Sequence, residues 1–300
     1  MQNIVPNLWA NGNAVEMGDF YAEAFPGASS RVTSSYPTEG LLEFQKPLAG
    51  LPLVVEVDLG DFTVMIINAG PEFSINPAIS ITVTFDPRQE GSKQDQAKLW
   101  EALCAGGTVL MPLDQYPFST QYGWVQDKFG MTWQLIELYG LQVGDEQQSA
   151  PKFIPSLLFG AAAQNRAKEA AEYYTALLGD PASLSAMSYE TQTGPATAES
   201  IMYADFELMG QIFSVMDSGA EQDFSFTEGV SLMVNCPDQS EIDRLWAALS
   251  AVPEAEQCGW CKDKFGVSWQ IVPANMDELM ERPGAFEKLL AMKKLVIADF

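Results

Sequence analysis

Two segments of this chain, half a chain apart, carry the same chemically useful side chains. Residues 122–136 read YGWVQDKFGMTWQLI and residues 258–272 read CGWCKDKFGVSWQIV. Each twin segment offers indole rings that can line a flat molecule, side-chain amides for hydrogen bonding, and a lysine that could hold a phosphate or carboxylate. The aspartate that directly precedes this lysine is expected to stabilise a hairpin turn. The copy itself indicates a duplicated module.

The residue types exclude much of the usual metal chemistry. The chain contains no histidine, which removes the commonest general base near neutral pH and the commonest nitrogen ligand for transition metals. Cys258 and Cys261 form a CxxC pair on an expected strand, where side chains three residues apart point to opposite faces. One such pair cannot complete a four-ligand zinc site. We therefore expect no bound metal and no cofactor.

Charge and composition limit the partners. The net charge of −24 repels phosphate backbones and anionic lipid, which disfavours nucleic-acid and membrane-surface roles. An apolar content of 47% is typical of a globular protein. No apolar run approaches the length of about 20 residues that a membrane span needs. Because the N-terminus also lacks the pattern of a secretion signal, we expect a cytoplasmic protein.

The hydrophobic pattern repeats one order of elements. In the first half, a strand and a helix precede a hairpin at Gly60-Asp61, and a further strand leads to a helix over Lys93–Ala105. The second half answers with helices over Arg166–Leu178 and Ser240–Leu249. Four βαβββ units in succession predict an α+β fold of two tandem modules, in which each pair of units forms a curled mixed sheet.

The predicted domain boundaries follow this repeat. We expect a first module over residues 1–140, a polar linker over 141–151, and a second module over 152–300. The C-terminal stretch MDELMERPGAFEKLLAMKKLV has no counterpart in the first half and is predicted to form one or two helices. The expected core includes Phe20, Tyr21, Phe62, Trp100, Leu103, Tyr173, Phe213, Trp246 and Leu249.

The element order and two local motifs resemble the vicinal oxygen chelate superfamily of glyoxalases, bleomycin-resistance proteins and extradiol dioxygenases. The motifs are the Phe20-Tyr21 or Tyr173-Tyr174 pair in the first helix and the DKFG…WQ hairpin. Within the superfamily, the chain is similar to the PhnB-like group, also labelled 3-demethylubiquinone-9 3-methyltransferase-like. Single-module relatives are implied to dimerise, so we expect an intramolecular pseudo-dimer and leave further oligomerisation open. A methyltransferase that uses S-adenosylmethionine usually has a glycine-rich loop between the first strand and helix of a Rossmann-like domain, and no such loop follows a strand and begins a helix in this sequence.

The resemblance also implies where a metal would bind in the cup of the curled sheet. The implied positions are near Pro6 and Pro155 on the first strands, near Ala78–Ser80 and Gly229–Ser231 on the fifth, and at Gln134 and Gln270 on the last. None supplies imidazole or carboxylate, and a neutral amide alone is a poor ligand for such ions. We expect the two glutamines to hydrogen-bond a ligand from the cup floor. The alternative is that they bond to neighbouring groups within the sheet.

The flanking aromatic residues complete the functional hypothesis. Trp124 and Trp260 are expected to form a wall for a flat organic ligand, and Glu137 is a nearby carboxylate. We therefore predict a protein that binds a small organic molecule in the cup without a metal ion.

Two other function classes stay open. One is a superfamily enzyme, either a lyase, isomerase or oxygenase with an oxygen-only metal site or a methyltransferase as the label suggests. The other is a structural or regulatory module, either without a working site or with a site that the second half has lost or kept and the first has not. Unequal cups would favour a site that differs between the halves, and two similarly lined cups would count against it.

Overall fold

The computed structural model describes residues 2–138 and 152–300, so the predicted linker at 141–151 lies outside the described residues. The first repeat contains β1 (Ile4–Ala10), α1 (Ala14–Ala24), β2 (Ser29–Ser35), β3 (Pro52–Asp58), β4 (Thr63–Asn68), β5 (Ile79–Phe85), α2 (Ser92–Cys104), β6 (Thr108–Tyr116), β7 (Ser119–Gln126) and β8 (Thr132–Glu137). The second contains β9 (Phe153–Phe159), α3 (Ala167–Leu178), β10 (Ser185–Ser188), β11 (Ile201–Leu208), β12 (Gln211–Asp217), β13 (Val230–Cys236), α4 (Gln239–Leu249), β14 (Trp260–Lys262) and β15 (Ser268–Pro273). Two short helices follow, α5 (Met276–Met280) and α6 (Ala285–Ala291), as the sequence predicts.

The strands form two mixed sheets, which confirms the α+β prediction. Sheet A has the strand order β14-β15-β13-β1-β4-β3-β2, and sheet B has the order β10-β11-β12-β9-β5-β8-β7-β6. The central strands are buried along their whole length, as their almost continuous apolar sequences require. For example, all seven residues of β9 and all six residues of β15 are buried.

The two repeats exchange units between the sheets. β1 of the first repeat pairs antiparallel with β13 of the second, and β5 of the first pairs antiparallel with β9 of the second. Each sheet therefore takes one unit from each repeat. The compact units follow the sheets: one contains the residues up to Ala22, Gly27–Ser74 and Phe226–Phe300, and the other contains Glu23–Pro26 and Ile75–Ser225. The predicted modules 1–140 and 152–300 thus describe the repeat in the sequence, while each sheet draws on both.

The last unit has one strand fewer than the predicted βαβββ order. Trp100 precedes Tyr122 by 22 residues, whereas the equivalent Trp246 precedes Cys258 by only 12. The ten missing residues correspond to the region of β6, and the shorter connection contains the 3-10 turn Pro253–Ala255 instead. Sheet A consequently ends at β14.

The longer helices lie on one face of their sheets because their apolar residues recur at helical spacing. Helix α4 begins after Asp238, whose side chain accepts a hydrogen bond from the backbone of Glu241, and it buries Ile242, Leu245 and Leu249. It packs on β15, just as α2 packs on β7 and β8, and α3 packs on β11 and β12. The opposite face of each sheet carries the predicted glutamines.

In the described part of the chain, no helix has the length and apolarity needed to cross a membrane.

The exchange of units predicts how a nicked protein behaves. A site for a sequence-specific protease is introduced between residues 141 and 151, and the folded protein is cleaved there. Because both sheets contain strands from both repeats, the two fragments should co-elute in size-exclusion chromatography and separate only in denaturant. Two fragments that separate without denaturant and keep their circular dichroism spectra would contradict this topology.

Candidate functional site

The Asp-Lys-Phe-Gly turns fix the orientation of the last strand of each repeat, β8 and β15. One carboxylate oxygen of Asp263 accepts hydrogen bonds from the backbone nitrogens of Phe265 (2.8 Å) and Val267 (3.0 Å). The other accepts from Nε1 of Trp269 at 2.9 Å. Asp127 makes the same set of bonds around Trp133. The predicted turn-stabilising role of the aspartates is confirmed.

Both tryptophans of this motif are fully buried, so they belong to the core. Alternation along the strand then places the next residue, Gln134 or Gln270, on the other face of its sheet. We call the face of sheet A that carries Gln270 cup A, and the face of sheet B that carries Gln134 cup B.

In cup B, the predicted glutamine is held on both sides by its own sheet. Oε1 of Gln134 accepts a hydrogen bond from the hydroxyl of Tyr122 at 2.9 Å. Nε2 of Gln134 donates to Oγ of Ser80 at 2.7 Å. Burial raises the pKa of Tyr122, so its hydroxyl stays protonated and available as a donor. The alternative reading, bonding within the sheet, describes Gln134 well.

A second polar network crosses the floor of cup B. Oγ of Ser156 lies 2.8 Å from Oγ1 of Thr82 and accepts a hydrogen bond from Oγ of Ser214 at 2.6 Å. Burial raises the pKa of Tyr203, which lies on the same face by register, to about 12. Burial likewise raises the pKa of the neighbouring Asp205. These hydroxyl groups satisfy one another, so a ligand here would have to break existing bonds.

Cup A keeps the glutamine, the serine and the tryptophan of cup B but differs at several other equivalent positions. Gln270 donates from Nε2 to Oγ of Ser231 at 2.9 Å. The residue that corresponds to Tyr122 is Cys258, so no tyrosine hydroxyl occupies Oε1 of this glutamine. Asn7 of β1 is paired in register with Ser231 and therefore lies on the same face. Asn7 is only 4% exposed, and its Oδ1 has no hydrogen-bond partner among the described residues.

Aromatic and thioether side chains surround these amides. The ring of Trp9 lies 5.8 Å from that of Trp260 and 4.9 Å from that of Phe73, both in edge-to-face geometry. Met65 is paired in register with Asn7, and Met233 with Gln270, so both methionines share the face. An apolar wall around a few polar groups is the usual composition of a small-molecule site.

The charged side chains near cup A are tied in ion pairs. Arg31, on the face of Glu56 by register, donates to its carboxylate at 2.8 Å. Lys262, two residues beyond Trp260, lies 2.7 Å from the carboxylate of Glu228. Each cation therefore already has an anionic partner.

The C-terminal segment closes one end of cup A. Leu279, Leu295 and Phe300 are buried in one cluster with Val272 and the half-buried Met233, both of which belong to the cup A face. The segment is also anchored through its backbone, because the nitrogen of Cys258 donates to the carbonyl of Met292 at 2.8 Å. The predicted C-terminal helices thus form part of the cup.

The donors present do not fit a resident metal ion of the superfamily type. The described residues contain no group of three or more histidine, cysteine, aspartate or glutamate side chains in metal-binding proximity. The implied ligand positions hold the hydroxyls of Ser80, Ser156 and Ser231 and the amides of Asn7 and Gln270. Hydroxyl and amide oxygens without a carboxylate make a weak set for a divalent ion.

The structure brings the predicted residues together in two separate sites and leaves one outside. Trp124 is in register with Gln134, and Trp260 with Gln270, so each pair shares a cup. Glu137 lies on the face of Trp133, outside cup B, and its Oε2 accepts a hydrogen bond from the hydroxyl of Thr120.

The sequence-based hypothesis missed Asn7 and Trp9. The available signal was an asparagine inside the otherwise apolar strand IVPNLWA, where a buried amide needs a partner.

A model of the family described as 3-demethylubiquinone-9 3-methyltransferase matches residues 2–136 and residues 151–272. Two matches in one chain fit an intramolecular pseudo-dimer. No curated protein matches the chain.

Three solved structures illustrate the similarity. A PhnB protein from Bacillus cereus with the same methyltransferase description is 28% identical, with a TM-score of 0.38, and the match covers 46% of this chain and 100% of that chain. Protein PA1353 from Pseudomonas aeruginosa is 21% identical, with a TM-score of 0.36, over 46% of this chain and 98% of that chain. A variant of glyoxalase I from Zea mays is 11% identical, with a TM-score of 0.51, over 93% of this chain and 96% of that chain. The last likeness shows the fold alone, which is glyoxalase-like across both repeats.

The two cups predict opposite effects of removing a polar side chain on stability. Asn7→Val removes an amide whose oxygen is buried without a partner, so the free energy of unfolding should stay unchanged or rise by up to about 1 kcal/mol. Gln134→Met leaves the hydroxyls of Tyr122 and Ser80 without this partner. The free energy of unfolding should therefore fall by about 1–3 kcal/mol. Urea denaturation measures both. A larger loss for Asn7→Val than for Gln134→Met would show that the Asn7 amide is bonded in solution.

Proposed function

The chain belongs to the 3-demethylubiquinone-9 3-methyltransferase family and has the glyoxalase-like fold of the vicinal oxygen chelate superfamily; from this premise we propose that it binds a small organic molecule in cup A without a metal ion. The observation that carries the proposal is the buried Oδ1 of Asn7, which has no partner among the described residues. Such a group lowers stability unless something else bonds to it. A bound ligand would supply that bond.

The surroundings of Asn7 support a ligand rather than a structural water alone. Trp9, Trp260 and Phe73 present large apolar surfaces beside the amides. Burying a flat molecule against such rings contributes most of the binding free energy in typical small-molecule sites, and a few polar groups orient the molecule. Gln270 supplies a second amide on the same face.

The metal-independent part of the proposal rests on the donor atoms. Because the residues at the implied ligand positions are neutral, they hold an organic molecule by hydrogen bonds more readily than they hold a divalent cation. The carboxylate of Glu56 is already paired with Arg31.

For cup B, the hydroxyl network favours a structural role, and its buried atom without a partner among the described residues is a donor, Nε1 of Trp124. The bonds from Gln134 to Tyr122 and Ser80, and those that join Thr82, Ser156 and Ser214, rigidify the sheet. We propose that the duplicated protein keeps one binding cup and uses the other mainly to support the shared fold. The two cups are lined unequally, as this reading requires.

The family description suggests methyl transfer as a second candidate activity. Such an enzyme would need to bind a methyl donor. The connection from β1 to α1 contains a single glycine, Gly12, rather than a glycine-rich phosphate-binding loop. S-adenosylmethionine is therefore the compound that distinguishes the two functions.

A ligand screen tests the proposal directly. The protein is mixed with a library of small aromatic and apolar compounds in the presence of a chelator, and thermal unfolding is followed. We expect at least one organic compound to raise Tm by an amount that the chelator does not change. Stabilisation by divalent metal ions alone would contradict the proposal. Binding of S-adenosylmethionine would favour the methyltransferase.

Matched tryptophan substitutions locate the site. Trp260→Leu should weaken the best ligand at least about tenfold in isothermal titration, because it removes the aromatic wall of cup A. Trp124→Leu makes the equivalent change in cup B and should alter the affinity less than about twofold. The reverse order would place the ligand in cup B and overturn the assignment. Circular dichroism confirms that both variants remain folded.

A further inference from the structure

We infer that cup A selects neutral aromatic molecules that carry a hydrogen-bond donor, such as a phenolic hydroxyl or a ring N–H, over their methylated or anionic analogues. The inference rests on the proposed function and names the chemical class of the ligand. Its basis is the hydrogen-bonding capacity that the described residues of the cup leave unused.

The unused capacity at the centre of cup A includes a buried acceptor. Asn7 is buried, and its Oδ1 has no partner among the described residues. Gln270 donates one of its amide N–H groups to Ser231, and the tyrosine that donates to the equivalent glutamine is replaced by Cys258. A buried acceptor in an apolar site gains most from a ligand that donates. A methylated analogue has no such donor and would leave Oδ1 unpaired.

The wall of the cup favours a flat ring. Trp9 and Trp260 meet edge to face with their ring centroids 5.8 Å apart, and Phe73 extends this aromatic cluster. The thioethers of Met65 and Met233 lie on the same face by register. Sulfur and ring edges both contact aromatic molecules favourably, and methionine adapts to the shape of the ligand.

The charges around the cup disfavour anionic ligands. The two cations that lie nearest by register, Arg31 and Lys262, are each paired with a glutamate. An incoming carboxylate would have to displace a glutamate from one of them. The net charge of −24 adds a repulsion that acts on every anion. Because both glutamates are also paired, no positive charge on the ligand is needed to balance them. A neutral ligand with a hydrogen-bond donor is therefore the best match for cup A.

Fluorine NMR tests the inference with three probes that share a para-fluorophenyl ring: para-fluorophenol, para-fluoroanisole and para-fluorobenzoate. The phenol should bind at least about tenfold more tightly than the anisole, and the benzoate should bind most weakly. In Asn7→Val, the preference for the phenol over the anisole should fall to about twofold or less. Ser156→Ala, at the equivalent position of sheet B, should keep the preference of the parent protein.

Each other result overturns the inference. An anisole that binds as tightly as the phenol, a phenol preference that survives Asn7→Val, a benzoate that binds most tightly, or no binding of the phenol at millimolar concentrations would all contradict donor selection. A failure of this inference can be distinguished from a failure of the proposed function. Equal binding of phenol and anisole that Trp260→Leu abolishes leaves cup A as the site and refutes only the ligand class.

Discussion

The antiparallel pairing of β1 with β13 is the constraint on which the proposed site depends. It joins the first unit of one repeat to the last unit of the other within sheet A. Through this pairing, Asn7 from the first repeat lies beside Ser231 and near Gln270 from the second. Neither repeat contains the complete set of polar groups. The proposed site therefore combines strands of both repeats, and the same exchange between β5 and β9 builds sheet B.

The two sheets have corresponding strand orders, but equivalent positions in them serve different purposes. Sheet B has Ser156 and Ser214 where sheet A has Asn7 and Met65, and the serines complete a network of short hydrogen bonds. In sheet A the same floor carries the amides, the hydroxyl of Ser231 and the carboxylate of Glu56 among apolar side chains. The first arrangement stabilises the fold, because every hydroxyl has a partner. The second leaves a buried acceptor unpaired, which lowers stability and is typical of functional sites.

The sequence predicted the features that depend on local pattern. The expected helix over Lys93–Ala105 is shifted by one residue from the observed Ser92–Cys104, and the expected helix over Ser240–Leu249 begins one residue after the observed Gln239–Leu249. The duplication, the turn-stabilising aspartates and the C-terminal helices were predicted correctly. All of these follow from periodicity, turn chemistry or direct repetition.

The sequence did not predict which strands pair across the repeats, because hydrophobic alternation is the same whether a unit pairs within its own repeat or with the other. It also placed Tyr173 in the core, which was wrong: Tyr174 is buried and Tyr173 is only half-buried. The role of Asn7 was missed for the same reason as the strand pairing across the repeats. Its importance depends on what lies opposite it in the folded sheet, and local spacing carries no information about that neighbour.

A crystal structure of the protein with the tightest-binding organic ligand, grown with chelator present, would locate the ligand. A donor atom of the ligand should lie about 2.7–3.2 Å from Oδ1 of Asn7, with the ring against Trp9 and Trp260. A ligand beside Gln134 in sheet B, or one that reaches cup A only through a metal ion, would contradict this placement.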